Sequence, residues 1–159
     1  MLQHGLSRGF RFVAAALPIV ALLFTASTGF TEQTGGTGKG KMKVVYHVDG
    51  KDPDVAKYAL ALIHKHIEAE GGPQNIDIKL VIHGPALPLF DKDKIDPELK
   101  KKFDLILEDG AHAEMCQVSM KVFGKSLEDL IPGLEATLHP VAVKRIADLQ
   151  AQGYLYIKP

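Results

Sequence analysis

The chain reads as α/β: a single domain with a mostly parallel sheet and helices on both faces. Three observations predict it. Two short β-branched runs, "MKVVYHV" (residues 42–48) and "IDIKLVIH" (76–83), have the composition of buried strands. Stretches with apolar residues at helical spacing lie between and after them, opened by Asp52-Pro53 and Asp96-Pro97. The two kinds of segment alternate, which is the pattern of strand–helix–strand units in a parallel sheet.

The elements follow in order. Residues 42–48 form the first strand, stopped by Asp49-Gly50. Asp52 caps the first helix, and Pro53 fits its first turn because a proline lacks the N–H that has no partner there. Val55, Ala59, Leu62, Ile63 and Ile67 mark its inward stripe, and Gly71-Gly72-Pro73 ends it. Residues 76–83 are the second strand, and "GPALP" (84–88) imposes a loop. Asp96-Pro97-Glu98 opens a second helix with Leu99, Phe103 and Ile106 inward and Gly110 at its end. Lys100, Lys101 and Lys102 are its wet face. Residues 111–115 are a weak third strand. Residues 117–123 are a helix with Val118 and Val122 inward, closed by Gly124. Ser126 to Asp129 has the form of a capping box. Residues 134–138 are a fourth strand. His139-Pro140 opens a last helix with Val143, Ile146 and Ala147 inward, and "YLYI" (154–157) is a closing strand.

The first residues point to export. Arg8 and Arg11 precede the uncharged run "FVAAALPIVALLF" (12–24), followed by the small residues Thr25, Ala26 and Ser27. This is the layout of a signal peptide cleaved near Ser27. An uncleaved anchor is the competing reading; the shortness of the run and Pro18 speak against it. Residues 1–27 are therefore read as a signal peptide, 28–41 ("TGFTEQTGGTGKGK") as a flexible Gly/Thr-rich linker, and 42–159 as the folded domain. The expected location is exported, and periplasmic if the source is a Gram-negative bacterium. The chain has 19 basic and 19 acidic residues; loss of Arg8 and Arg11 leaves 17 against 19. A slightly acidic protein gives no electrostatic reason to bind nucleic acid or an anionic membrane surface, and no stable membrane insertion is expected after cleavage.

Parallel sheets place their sites outside the carboxyl ends of the strands. There the sequence delivers His47 and Asp49, then His83 with Gly84-Pro85, then Cys116, then His139. Spacing leaves the strand order open, and with it which of these residues touch. His64 and His66 stand two apart on a helix, on nearly opposite sides. Cys116 is the only cysteine, so no internal disulfide is available to it. It sits where a strand gives way to a helix, and backbone N–H groups there favour a thiolate, which is both nucleophile and metal ligand. It can also hold sulfane sulfur as a persulfide. Free cysteine is equally a common buried filler.

Together, "MKVVYHV", "IKLVIHGPAL" (78–87), "CQVSM" (116–120) and "IADLQAQGYLYIKP" (146–159) resemble the DsrE/DsrF-like family of small sulfur-handling proteins. The resemblance implies a compact flavodoxin-like, DsrE-like α/β domain that assembles as a homo-oligomer, a trimer or hexamer. It also implies passage of sulfur between partner proteins as a cysteine persulfide, on the matching Cys116. Family members without that cysteine exist, and the well-understood relays are cytoplasmic, unlike the exported protein expected here.

The resulting expectation is an exported sulfur carrier or sulfurtransferase-like protein. Cys116 accepts sulfur from a sulfane compound or a donor protein and releases it to an acceptor. His83 or His47 assists as base or electrostatic partner, and no cofactor is required. Two other readings stand beside it: a copper or zinc module using Cys116 with His83, His47 or His139, and a structural or interaction subunit with an inert cysteine.

Overall fold

The computed structural model describes residues 40–159. The expected signal peptide, and all of the expected linker except Gly40 and Lys41, lie outside the described residues. No described helix is long and apolar enough to cross a membrane.

Five strands alternate with helices, as the sequence pattern predicts. β1 (Met42–Val48) leads through α1 (Pro53–Ala69) to β2 (Ile76–Ile82). A 3-10 segment (Gly84–Phe90) and α2 (Pro97–Glu108) lead to β3 (His112–Met115). Then come α3 (Gln117–Val122), a short 3-10 turn (Leu127–Asp129), β4 (Leu134–Ala136), α4 (Ala142–Ala151) and β5 (Leu155–Ile157). The sheet order is β4-β3-β2-β1-β5, and every pairing is parallel.

Local chemistry explains the boundaries. The Asp52 carboxylate accepts from the Asp54 N–H, and that of Asp96 from the N–H groups of Glu98 and Leu99, so both helices after a proline start are capped as expected. Ser126 and Asp129 complete the capping box reciprocally. Gly110 sits just beyond α2 at φ 87°, a left-handed conformation that favours glycine.

Crossovers between parallel strands are right-handed. Successive steps from β1 to β2 to β3 therefore put α1 and α2 on one face, and the return from β4 across to β5 puts α4 on the other. The core divides accordingly. Val44, Tyr46, Ile78, Leu80, Ile82 and Met115 pack with residues of α1 and α2. Val45, Val81, Cys116 and Tyr154 pack with Ala142, Ile146 and Leu149 of α4. Strand alternation places His47, His83, Glu114 and Cys116 toward the α4 side.

Three inward faces differ from the sequence expectation. In α1, Val55 is exposed, and Ala56, Ala59, Leu60, Ile63 and Ile67 form the buried stripe. In α3, Val118 and Val122 face out while Ser119 and Met120 are buried. Six residues are less than two turns, too few for two valines to set the phase. In α4, Val143 and Ala147 face out, and the stripe is Ala142, Arg145, Ile146 and Leu149. An arginine reads as solvent-facing in a sequence, but here it faces in because Glu114 needs it: Arg145 Nε and Nη2 donate to the two Glu114 carboxylate oxygens at 2.8 and 2.6 Å. β4 also stops at Ala136, short of the expected Leu138, and α4 starts at Ala142, after His139-Pro140.

The buried fork sets up a stability prediction. Glu114→Ala leaves an unpaired guanidinium against the sheet and should lower the unfolding free energy by about 3–5 kcal/mol, read from a urea melt. Replacing both partners together, with Glu114→Leu and Arg145→Met, should lose much less.

Candidate functional site

The parallel register brings the strand ends to one edge. His47 pairs with Val81 and Val48 with Ile82, so His83 follows directly after the β1–β2 ladder. Ile82 pairs with Met115 and Met115 with Ala136, so Cys116 and Thr137 follow side by side on their strands. Two polar centres result.

The first is built on β1, β2 and β5. The Nε2 atoms of His47 and His83 are 2.7 Å apart. Their rings are nearly parallel, at 12°, with centroids separated by 4.8 Å. That separation is close to the nitrogen distance plus two ring radii, so the rings meet tip to tip and one N–H bridges them. His47 Nδ1 is 2.7 Å from the Tyr156 hydroxyl. Asp49 Oδ2 lies 3.7 Å from His47 Nε2 and accepts from Lys158 Nζ at 2.7 Å.

The second centre surrounds Cys116, the residue that caps α3. Its N–H donates to the Ile82 carbonyl at 2.9 Å, and its thiol donates to the Pro140 carbonyl at 3.4 Å. The side chain is only 3% exposed. The Ser119 hydroxyl accepts from the Gly84 N–H at 2.7 Å, so its own proton is available to the sulfur. This bond also ties the residue after His83 to α3. Burial alone would raise the Cys116 thiol pKa; the Ser119 hydroxyl and the amides of Ser119, Ala142 and Val118 outweigh it and bring the thiol below its ordinary value.

A model of the DsrE/DsrF-like family matches residues 42–159, nearly the whole described chain. The chain belongs to that family. No curated protein matches it. Among solved structures, the DsrE-like domain is similar to MTH1491, a protein of unknown function from Methanobacterium thermoautotrophicum, with 18% identity and a TM-score of 0.65 over 75% of this chain and 100% of that one. It is also similar to the ychN protein from E. coli, with 15% identity and a TM-score of 0.62 over 74% and 99% of the two chains. BT1422, a conserved protein of unknown function from Bacteroides thetaiotaomicron, matches at 15% identity and a TM-score of 0.54 over 74% and 94%. At these identities the likeness is one of fold. Membership gives the DsrE-like protein a sulfur-relay-type fold.

Of the residues read from the sequence, His47 and His83 come together with each other and with Asp49. Among the described residues neither imidazole hydrogen-bonds Cys116. His139 lies in the turn beside the thiol, one residue before Pro140; among the described residues it bonds neither the thiol nor the other two histidines, and its Nδ1 accepts from the Val141 N–H at 3.1 Å. His64 bonds Asp109, and His66 bonds Tyr46. The sequence reading missed Tyr156, Lys158 and Ser119. The first two lie on and just after the closing strand that the sequence predicts, but their place beside His47 depends on β5 pairing with β1. Ser119 had no sequence signal: a serine on a short helix reads as polar surface.

Burial is the largest cause of a lowered His47 pKa, about 4; Asp49 opposes it, and His83 and Lys158 add to it. His83 is lowered for the same leading reason. Asp49 stays below its ordinary range: burial would raise it, and the Lys158 ammonium outweighs that. The sign for stability follows. The folded chain protonates His47 only near pH 4, whereas an unfolded chain takes that proton up near the ordinary 6.5. Between those values the unfolded state binds more protons, so stability is lost as pH falls. Urea midpoints taken in chelator-containing buffer should drop between pH 7 and pH 4.5, and His47→Gln should flatten the drop.

Proposed function

We propose that this DsrE/DsrF-like protein carries sulfane sulfur as a persulfide on Cys116 and passes it between partners outside the cytoplasm. The observation that carries the reading is the place of Cys116 at the start of α3, where the nearby Ser119 hydroxyl and backbone amides bring the thiol below its ordinary value although burial opposes them. The Cys116 thiolate attacks the outer sulfur of a donor persulfide. The donor's S–S bond breaks, a new S–S bond forms on Cys116, and the donor leaves as a thiolate. With thiosulfate, sulfite is the leaving group. Because no second cysteine exists in the chain, no internal disulfide expels the bound sulfur.

Two features support this. Thr137, beside Cys116 in the register, has a buried hydroxyl with no hydrogen-bond partner among the described residues. A second sulfur atom gives it an acceptor. Apolar side chains are also exposed on the turn at residues 138–141 and on α3: Leu138 is 81% and Val122 74% exposed, with Val118, Phe123 and Val141 also open. The Val118 N–H donates to the Pro140 carbonyl, joining α3 to that turn. Exposed apolar surface of this kind suits a partner protein that shifts the turn as it docks. Export rests on the arginine-flanked apolar run of residues 12–24.

The burial of Cys116 favours a second reading, an inert filler in an interaction subunit. One experiment separates them. Protein incubated with polysulfide or a persulfidated donor should gain the mass of one sulfur atom, removable by reductant, and Cys116→Ser should gain none. Ser119→Ala should move the pH midpoint of iodoacetamide alkylation upward by about one unit, since a hydrogen bond to a charged group contributes roughly 1.5–3 kcal/mol. A thiol that takes up no sulfur and is alkylated only as the protein unfolds would establish the inert reading.

A further inference from the structure

The histidine pair is a centre of its own, and its chemistry differs from that of the thiol. We propose that His47, Asp49 and His83 bind one divalent ion of the zinc class, independently of Cys116.

The donor set comes first. One ring nitrogen from each histidine and one Asp49 oxygen all lie within 4.8 Å of one another. Two imidazoles and a carboxylate suit zinc, and they also suit copper(II). They come from the ends of adjacent parallel strands, so the sheet holds two of the three by register.

Orientation comes second. Histidines that bind metals commonly donate their other N–H to an outer partner, which fixes the tautomer. His47 has that partner: its Nδ1 faces the Tyr156 hydroxyl at 2.7 Å. With the proton on Nδ1, Nε2 directs a lone pair at the centre of the cluster. The imidazoles are already aimed at one point, since their Nε2 atoms meet tip to tip.

The third argument is the size of the adjustment. Two nitrogens on a tetrahedral zinc at bond lengths of about 2.0–2.1 Å stand roughly 3.3 Å apart. From the present 2.7 Å the ring tips must open by about 0.6 Å. His83 is less buried than His47 and stands at the start of a loop, so it is the ring that moves. The bridging N–H is replaced by the ion, and His83 carries its proton on Nδ1 instead.

Lys158 opposes the ion. It donates to Oδ2, the same Asp49 oxygen that His47 approaches, and so competes with a metal for it. Its ammonium repels a dication, so the affinity is moderate, and removing that charge should strengthen binding.

Calorimetric titration of zinc(II) into chelator-stripped protein tests this, with copper(II) as a second probe. One ion should bind per chain. His83→Gln and Asp49→Asn, both at partly exposed positions, should each weaken binding at least tenfold. Tyr156→Phe should weaken it about tenfold, as loss of an outer partner commonly does. Lys158→Gln should tighten it severalfold, and Cys116→Ser should leave it unchanged. Absence of stoichiometric binding overturns the proposal, as does binding that His83→Gln and Asp49→Asn leave intact. Binding abolished by Cys116→Ser would place the ion on the thiol and overturn the assignment, whatever the outcome for sulfur uptake.

Discussion

The structure depends on the buried fork between Glu114 and Arg145. Glu114 stands two residues before Cys116 on the same side of the sheet, and Arg145 stands one helical turn after Ala142. The pair therefore fixes α4 against β3, and with it the residues that cover the sulfur. Those residues supply the Pro140 carbonyl and the Ala142 amide that address Cys116. A buried ion pair gives little net stability over an apolar substitute, but it has a strict geometry. The bidentate pair ties α4 to β3 one turn away from the Ala142 amide.

The same edge holds two centres with opposite electrostatic tasks. Around Cys116, neutral dipoles favour a negative sulfur in a dry place. Around His47 and His83, burial keeps two imidazoles uncharged, and the one carboxylate nearby is already neutralised by Lys158. Neither centre gives the other a counter-charge. The bond from Gly84 N–H to the Ser119 hydroxyl is their structural link, since it joins the residue after His83 to the residue whose proton reaches the sulfur.

The layer architecture was legible because its causes are local. Asp52-Pro53 and Asp96-Pro97 cap helices by chemistry contained within a few residues, and β-branched runs announce buried parallel strands. The edge rule then collected His47, Asp49, His83, Cys116 and His139 without knowledge of strand order, although His139 caps its own turn instead of joining the other histidines. What was not legible depends on distant partners. Arg145 faces inward only because Glu114, 31 residues earlier, needs it. Val118 and Val122 face outward because Ser119 and Met120 are drawn in by the loop after β2 and by the core. The meeting of His47 with His83 needed β1 beside β2, and the roles of Tyr156 and Lys158 needed β5 on the far side of β1. Periodicity carries no such information.

Burial of the sole thiol follows physically from the proposed setting. In an oxidising compartment an exposed lone cysteine pairs with whatever thiol it meets, including a second copy of its own chain. A side chain only 3% exposed is closed to that reaction. The same closure would also exclude a sulfur donor, unless the cover is weak where it must open. It is weak there: the turn at residues 138–141 presents apolar side chains to water, and one carbonyl of that turn accepts both the thiol and the Val118 N–H. Exposed Leu138 beside that carbonyl is apolar surface that a docking partner would bury. In the relay proposed above, protection and delivery are the same contact in two states, closed by the turn at residues 138–141 and opened by a partner.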